Sequence, residues 1–414
     1  MSKSKIRKLL AMAICIAMVL VFAVGCGGGG SSTAAEPAGS SAAEVTADGD
    51  APAGEVQTKS IGFYADAADS YYAIMNDALN ALAEQDPLCD WTINYQVGSS
   101  TADEQLKAVE DFINSGYDAI IVIQNNPGTT SECIAKCVEA DIPYFGASHY
   151  FGDEPNAADA TGSIVFDFKE GGHIAGVAAI ENDVKNVIMI EGVLGQGSAS
   201  DQTLGFLTAY EEAGKSFGEK ADGTPWTAEE IAINKPPMSD IKGDYDIAVV
   251  YWASGNWMAE PAQKAMTDAI TSLGADGWDG AYVQNNPMVE GAINAMTSAG
   301  LDAKDYYISS MNGREVSWEW AKEGTIKCDV NQSSCLEGAV LYQQLKEYFE
   351  TGTVSKPFVR PYLTGYTDKT ITELEPVLIP FQDLDAFIEK VNNDEIVWKL
   401  DDPKFVEIEK GYGK

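Results

Sequence analysis

Twice along this chain a short apolar run gives way to a helix-patterned segment, and the whole cycle then begins again. The first series is SIGFYAD (60–66), SYYAIMNDALNALAEQ (70–85), WTINYQVG (91–98), TADEQLKAVEDFINSG (101–116), AIIVI (119–123), SECIAKCVEA (131–140) and IPYFGAS (142–148). The second is NVIMIEG (186–192), a helix through Leu204, Phe206 and Leu207, IAVVYWA (247–253), MAEPAQKAMTDAITSLG (258–274), GAYV (280–283), MVEGAINAMTSAG (288–300) and YYISSMN (306–312). Strands alternating with amphipathic helices form a parallel sheet with helices on both faces. The segment 101–116 carries helix signals at both ends: Thr101 and Glu104 stand at capping-box spacing, and Gly116 is a stop. Leu106, Val109, Phe112 and Ile113 form its apolar stripe.

In each series the third strand ends in the same tetrapeptide, QNNP, beginning at Gln124 and at Gln284. Ligands of open parallel sheets sit beyond the carboxyl ends of the strands. Two sheets with those ends facing would put both tips on one cleft. The alternative is local: Asn caps helices well, and each tetrapeptide precedes one.

The N-terminus sets the compartment. Lys3, Lys5, Arg7 and Lys8 precede an apolar run, and Ala23-Val24-Gly25-Cys26 follows it. That order describes a secretory signal over 1–25, and its ending resembles a bacterial lipobox, with Ala23 where leucine is commoner. A membrane-spanning helix is the other reading, because the run is nearly bilayer length. The lipobox resemblance implies lipidation of Cys26 and anchoring outside the cytoplasm, with more than one acyl chain for a stable hold. Residues 26–59 are mostly Gly, Ser, Ala, Thr, Pro and acids, a composition that stays unfolded as a tether.

The chain has 27 Lys and Arg against 63 Asp and Glu; without the signal, 23 basic residues remain, a balance of −40. Nucleic acid and anionic lipid repel such a surface, so the partners are small molecules or proteins. Outside the signal and Cys26 the cysteines are Cys89, Cys133, Cys137, Cys328 and Cys335. Export permits one or two disulfides among them, and buried small apolar thiols are the other reading. With only His149 and His173 and no CxxC, no metal cluster assembles from local spacing.

Enzyme signatures are missing. GVLGQGSAS places Gly195 and Gly197 at two positions of a dinucleotide fingerprint, but Ser200 takes the third. There is no GxSxG, Walker loop or HExxH, and His149 has no nucleophile at a known spacing. No catalytic residue, cofactor or metal is expected.

Several stretches resemble ribose-binding-type periplasmic binding proteins. VFDFKEGGHIAG (165–176), QTLGF (202–206), YVQNNPMVEGAINAMTSAG (282–300) and ISSMNG (308–313) occur in that family's order and spacing. The resemblance covers about 60–370; Phe217–Asp246 and the tail after Pro380 are longer than in compact members. It implies the α/β type I periplasmic-binding-protein fold, two doubly wound parallel-sheet lobes joined by a three-strand hinge near Asp167, Gln332 and Tyr362. The implied lobes are 60–165 with 333–361, and 166–332 with 362–414 including the tail. It also implies a monomeric ABC-transporter lipoprotein that takes a small polar ligand, a sugar first, to a permease. Service to a membrane sensor, or a non-sugar ligand such as a nucleoside, are the alternatives.

Carried over residue by residue, the resemblance implies a ligand site made of Asp66, Asp69, Tyr71, Tyr72, Ser148, His149, Gln202, Trp257, Asn285, Asn312 and Gln332. The family's charged Asp and Arg are replaced here by Ser148, His149, Gln202 and Asn312, so the site keeps an aromatic clamp around neutral polar groups. Aromatic faces cover the C–H side of a sugar ring, and amides pair with its hydroxyls. Helix-start packing for Tyr71 and Tyr72, a core place for Trp257 and a surface place for His149 are the alternative readings.

Overall fold

The computed structural model describes residues 54–68, 70–99, 101–124, 127–149, 156–361, 363–374, 384–393 and 406–408. The signal over 1–25, Cys26, most of the tether, Asp69, Asn125, Asn126 and the hinge position Tyr362 lie outside the described residues.

In chain order the first series forms β1 (Gln57–Ala65), α1 (Ser70–Gln85), β2 (Cys89–Val97), α2 (Ala102–Ser115), β3 (Ala119–Ile123), α3 (Pro127–Glu139), β4 (Tyr144–Ser148) and β5 (Gly162–Val165). The second forms α4 (Phe168–Glu181), β6 (Asn186–Glu191), α5 (Gly197–Glu212), α6 (Ala228–Asn234), β7 (Ala248–Ser254), α7 (Ala259–Leu273), β8 (Gly280–Val283), α8 (Asn286–Ser298), β9 (Tyr307–Ser309), α9 (Glu315–Lys322) and β10 (Cys328–Asn331). Then come α10 (Ser334–Thr351), β11 (Phe358–Pro361), β12 (Thr364–Thr367), α11 (Leu384–Asn392) and β13 (Val406–Ile408).

The strand orders expose the duplication. One sheet runs β13-β11-β5-β4-β3-β1-β2 and the other β12-β10-β9-β8-β6-β7. Within them, β2-β1-β3-β4-β5 and β7-β6-β8-β9-β10 are the same doubly wound order. All of these strands pair in parallel; only β11–β13 and β10–β12 are antiparallel. In each half the winding reverses beside the first strand, so a crevice opens between β1 and β3 and between β6 and β8. Gln124 and the second QNNP copy directly follow β3 and β8, the strands that border these crevices.

Central strands are buried on both faces, as AIIVI and NVIMIE require. Ile61, Phe63, Ile121, Phe145 and Leu341 centre one core; Ile188, Ile190, Val283, Met288 and Ile308 centre the other. The insertion after α5 folds onto edge strand β7 with Phe217 and Ile231 buried, and α6 carries a capping box formed by Thr227 and Glu230.

Three expectations need correcting. β1 starts at Gln57, inside the stretch read as tether to residue 59, since Gln57, Thr58 and Lys59 already pair with Cys89, Asp90 and Trp91. Thr101 makes no side-chain cap on α2; Glu104 accepts instead from the Ser99 N–H at 2.9 Å. The tail does not stay with the second lobe. After β12 the chain returns: Phe387 of α11 is fully buried in the first core, and β13 extends the first sheet beside β11. A large apolar side chain and an open sheet edge in the first lobe account for that return. Cys133 and Cys137 are buried thiols, and burial pushes both up to about 12, far from reactive.

Candidate functional site

The carboxyl ends of the two sheets border a cavity of about 630 Å3, counting the part open to solvent. Its walls come from both lobes. The first contributes Asp66 and Ala67 after β1, Tyr71 and Tyr72 on α1, and Ser148 and His149 at the end of β4. The second contributes Gln196 before α5, Ser198 and Gln202 on α5, Trp257 before α7, Gln284 and Asn285 after β8, and Asn312 after β9. Phe168 and Gln332 sit where the chain passes between sheets. Of the sequence-predicted set, every residue except Asp69 lines this one space; Asp69 lies outside the described residues.

The first-lobe wall is built on a buried acid that the sequence reading did not single out. Tyr71 donates its hydroxyl to Oε2 of Glu337 at 2.6 Å, and Ser148 Oγ approaches the same oxygen at 3.4 Å. Glu337 is fully buried in the first turn of α10, and burial pushes its carboxyl up to about 8. Oε1 has no hydrogen-bond partner among the described residues. Tyr71 is raised well above its usual value by burial and by Glu337. His149 stacks on Phe168 with centroids 5.5 Å apart, and burial lowers it to about 4, so the imidazole is neutral at pH 7.

The second-lobe wall is a set of amides, each braced by a hydrogen bond to the protein around it. Gln202 accepts from the Tyr282 hydroxyl at 2.8 Å. Trp257 is half-buried and donates Nε1–H to Gln196 Oε1 at 2.6 Å. Its ring lies over Gly192 so closely that a Cβ there would collide with it. Asn256 and Trp257 both hold left-handed backbone, φ 49 and 59, which is strained for either residue. Asn285 restrains that turn by donating to the Trp257 carbonyl at 3.1 Å, while its Oδ1 caps α8 through Met288 N–H at 2.9 Å. The capping reading of this QNNP is therefore correct for Asn285, alongside its place on the cavity. Asn312 stands at φ 130, and Gln332, which bonds to Tyr71, also meets Asn312 at 3.5 Å.

No Lys or Arg side chain lines the cavity among the described residues. With His149 neutral, four aromatic rings, a rim of amides and hydroxyls and Asp66 as the one carboxyl among the described lining, the space suits an uncharged molecule rich in hydroxyls rather than an anion. Phe168, Gln196, Ser198 and Gln284 were outside the predicted set. Gln196 and Ser198 belong to the Gly-rich GVLGQGSAS turn, and that turn was the available signal. Glu337 had none, since a lone acid inside a helix reads as surface.

The periplasmic binding protein domain profile matches residues 61–353, and the chain belongs to that family. The fructose import binding protein FruE of Bifidobacterium longum is 22% identical over 304 residues, 72% of this chain and 81% of that protein. The galactofuranose-binding protein YtfQ of Escherichia coli is 22% identical over 286 residues, 68% of this chain and 80% of that protein. The crystal structure of a galactofuranose binding protein superposes with a TM-score of 0.63 at 20% identity, covering 82% of this chain and all of that one. Type I two-lobe architecture and a role in solute binding rather than catalysis follow, and the family implies a place outside the cytoplasm.

Proposed function

We propose that this chain is a lipid-anchored solute-binding protein that encloses a neutral sugar between its lobes and delivers it to an ABC importer. One observation carries the reading: aromatic rings from both lobes face a single cavity whose polar lining is mostly amide and hydroxyl, with the Asp66 carboxyl and the His149 imidazole and no Lys or Arg among the described residues. Tyr71 and Tyr72 on one side and Trp257 on the other cover the C–H faces of the ring. Asp66, Ser148, Gln202, Asn312 and Gln332 pair with its hydroxyls, and His149 and Asn285 close the rim. Asp69 is kept in the set on its sequence position alone. Relatives named for fructose and galactofuranose support the sugar class.

Calorimetry on the purified protein with D-fructose, D-galactose, L-arabinose, D-ribose, D-glucuronate and galactose 1-phosphate tests this. Saturable binding of a neutral sugar and none of the two anions is the expected result. Tight binding of an anion, or of none of the six, sinks the proposal.

A further inference from the structure

We propose that Asn286 is a positioning residue that fixes the Asn312 amide at the cavity wall and so selects which sugar hydroxyl is met. The inference rests on the site reading above. Asn286 is almost fully buried and does not line the cavity. Its side chain is committed to protein: Oδ1 accepts from Arg314 N–H at 2.9 Å, and Nδ2 donates to Asp329 Oδ2 at 2.7 Å and Ser310 Oγ at 3.3 Å. Its backbone N–H, in turn, donates to Asn312 Oδ1 at 3.2 Å. These bonds hold both sides of the 310–314 turn, and Asn312 lies in its middle at φ 130.

An amide whose oxygen is taken by a fixed N–H has its NH2 end directed the other way. Asn312 Nδ2 does reach Gln332 Oε1, at 3.5 Å, on the cavity side. Asp329 anchors the arrangement. It is buried, takes Tyr366 OH at 2.9 Å as well as Asn286, and burial raises its carboxyl above the usual range. Such a network keeps one geometry because each member leaves another unsatisfied if it moves. The tetrapeptide repeated in the sequence is thus, in this lobe, a bracket: Asn285 holds the Trp257 turn and Asn286 holds the Asn312 turn.

The test is a double-mutant cycle on binding of whichever sugar of the calorimetric panel wild type takes. Asn286→Ala and Asn312→Ala are each expected to weaken binding about ten-fold, and the double variant no more than about two-fold beyond Asn312→Ala. A ten-fold loss from Asn286→Ala that persists in the Asn312→Ala background overturns the proposal, since Asn286 then acts elsewhere. If Asn286→Ala gives no cooperative melt, Arg314→Pro replaces it. Arg314 has φ −67, which proline matches, so the change deletes the N–H that Asn286 accepts. Non-additivity with Asn312→Ala is expected again, and wild-type affinity in Arg314→Pro overturns the proposal. Wild type that binds no panel sugar overturns the site reading itself, and is told apart because no cycle is then needed.

Discussion

The Tyr71 hydroxyl donates to Oε2 of Glu337 at 2.6 Å, so a ring on the cavity wall is tied to a carboxyl group buried in the first lobe. Burial holds that carboxyl at about 8, against 4.5 for a free one. Between those values the folded protein keeps a proton that the unfolded chain has released, so stability falls as pH rises through the window. His149 runs the other way: lowered by burial from 6.5 to about 4, its contribution is lost as pH falls from 6.5 toward 4.

Above pH 6.5 the His149 contribution is constant and Glu337 still titrates, and since Asp329 is also raised, the Glu337 share is read from the difference between wild type and Glu337→Gln. Denaturant unfolding of wild type should lose stability from pH 6.5 to about 8 and level off above it, and Glu337→Gln should be flatter in that range. The absolute stability of the variant is not the measure, because the new NH2 group needs an acceptor at a carboxyl whose Oε1 has no partner among the described residues. Equal slopes in the two proteins would assign the pH dependence to another group.

Gly192 sets the height of the Trp257 ring. An added Cβ collides with the six-membered ring, while its own N–H is held by Gln284 Oε1 at 2.9 Å, so the backbone cannot retreat. Gly192→Ala should push the ring into the cavity and weaken sugar binding about as much as Trp257→Ala. Crowding of this sort costs about 1–3 kcal/mol. Calorimetry on both variants decides: normal affinity in Gly192→Ala with a clear loss in Trp257→Ala means the ring is placed by something else.

The alternation of strands and helices made the two sheets readable, because apolar period and turn residues are local signals. The cavity was readable for the same reason: Trp257, Asn285 and Asn312 follow strands whose carboxyl ends must face a cleft in this topology. Two features were not local, and a third was decided by a local competitor. Glu337 meets Tyr71 across 266 positions, and no spacing predicts that. Phe387 finds the first core only after the second lobe is complete, so the tail looked like an extension of its sequence neighbour. Thr101 and Glu104 had capping-box spacing, but Ser99 N–H captured the carboxylate.

A site walled by both sheets should tighten around its ligand. Hinge closure brings walls together when they share a bound molecule. Small-angle scattering should give a smaller radius of gyration at saturating sugar than without it. An unchanged profile under conditions where calorimetry shows full occupancy would mean that the lobes do not move.

Anchoring is tested separately from binding. Cys26 ends the signal pattern and begins the tether. Cys26→Ala expressed in a bacterium that processes lipoproteins should leave the membrane fraction and keep wild-type sugar affinity. A variant that stays with alkaline-washed membranes rules out lipidation at Cys26 as the anchor.

The returning tail gives the last expectation. Phe387 is fully buried among first-lobe residues, and α11 packs against α1, the helix that carries Tyr71 and Tyr72. Removing a buried phenylalanine ring costs about 3–5 kcal/mol, because the cavity left behind relaxes only in part. Phe387→Ala should therefore lower stability by that order. It should also weaken sugar binding modestly, since a loosened α1 no longer presents its two tyrosines as firmly. Saturating sugar should then restore part of the lost stability, because ligand binds the folded form alone. Unfolding curves with and without sugar measure both effects on one protein. If Phe387→Ala melts with wild type, α11 is not docked on α1 and the tail belongs to neither core.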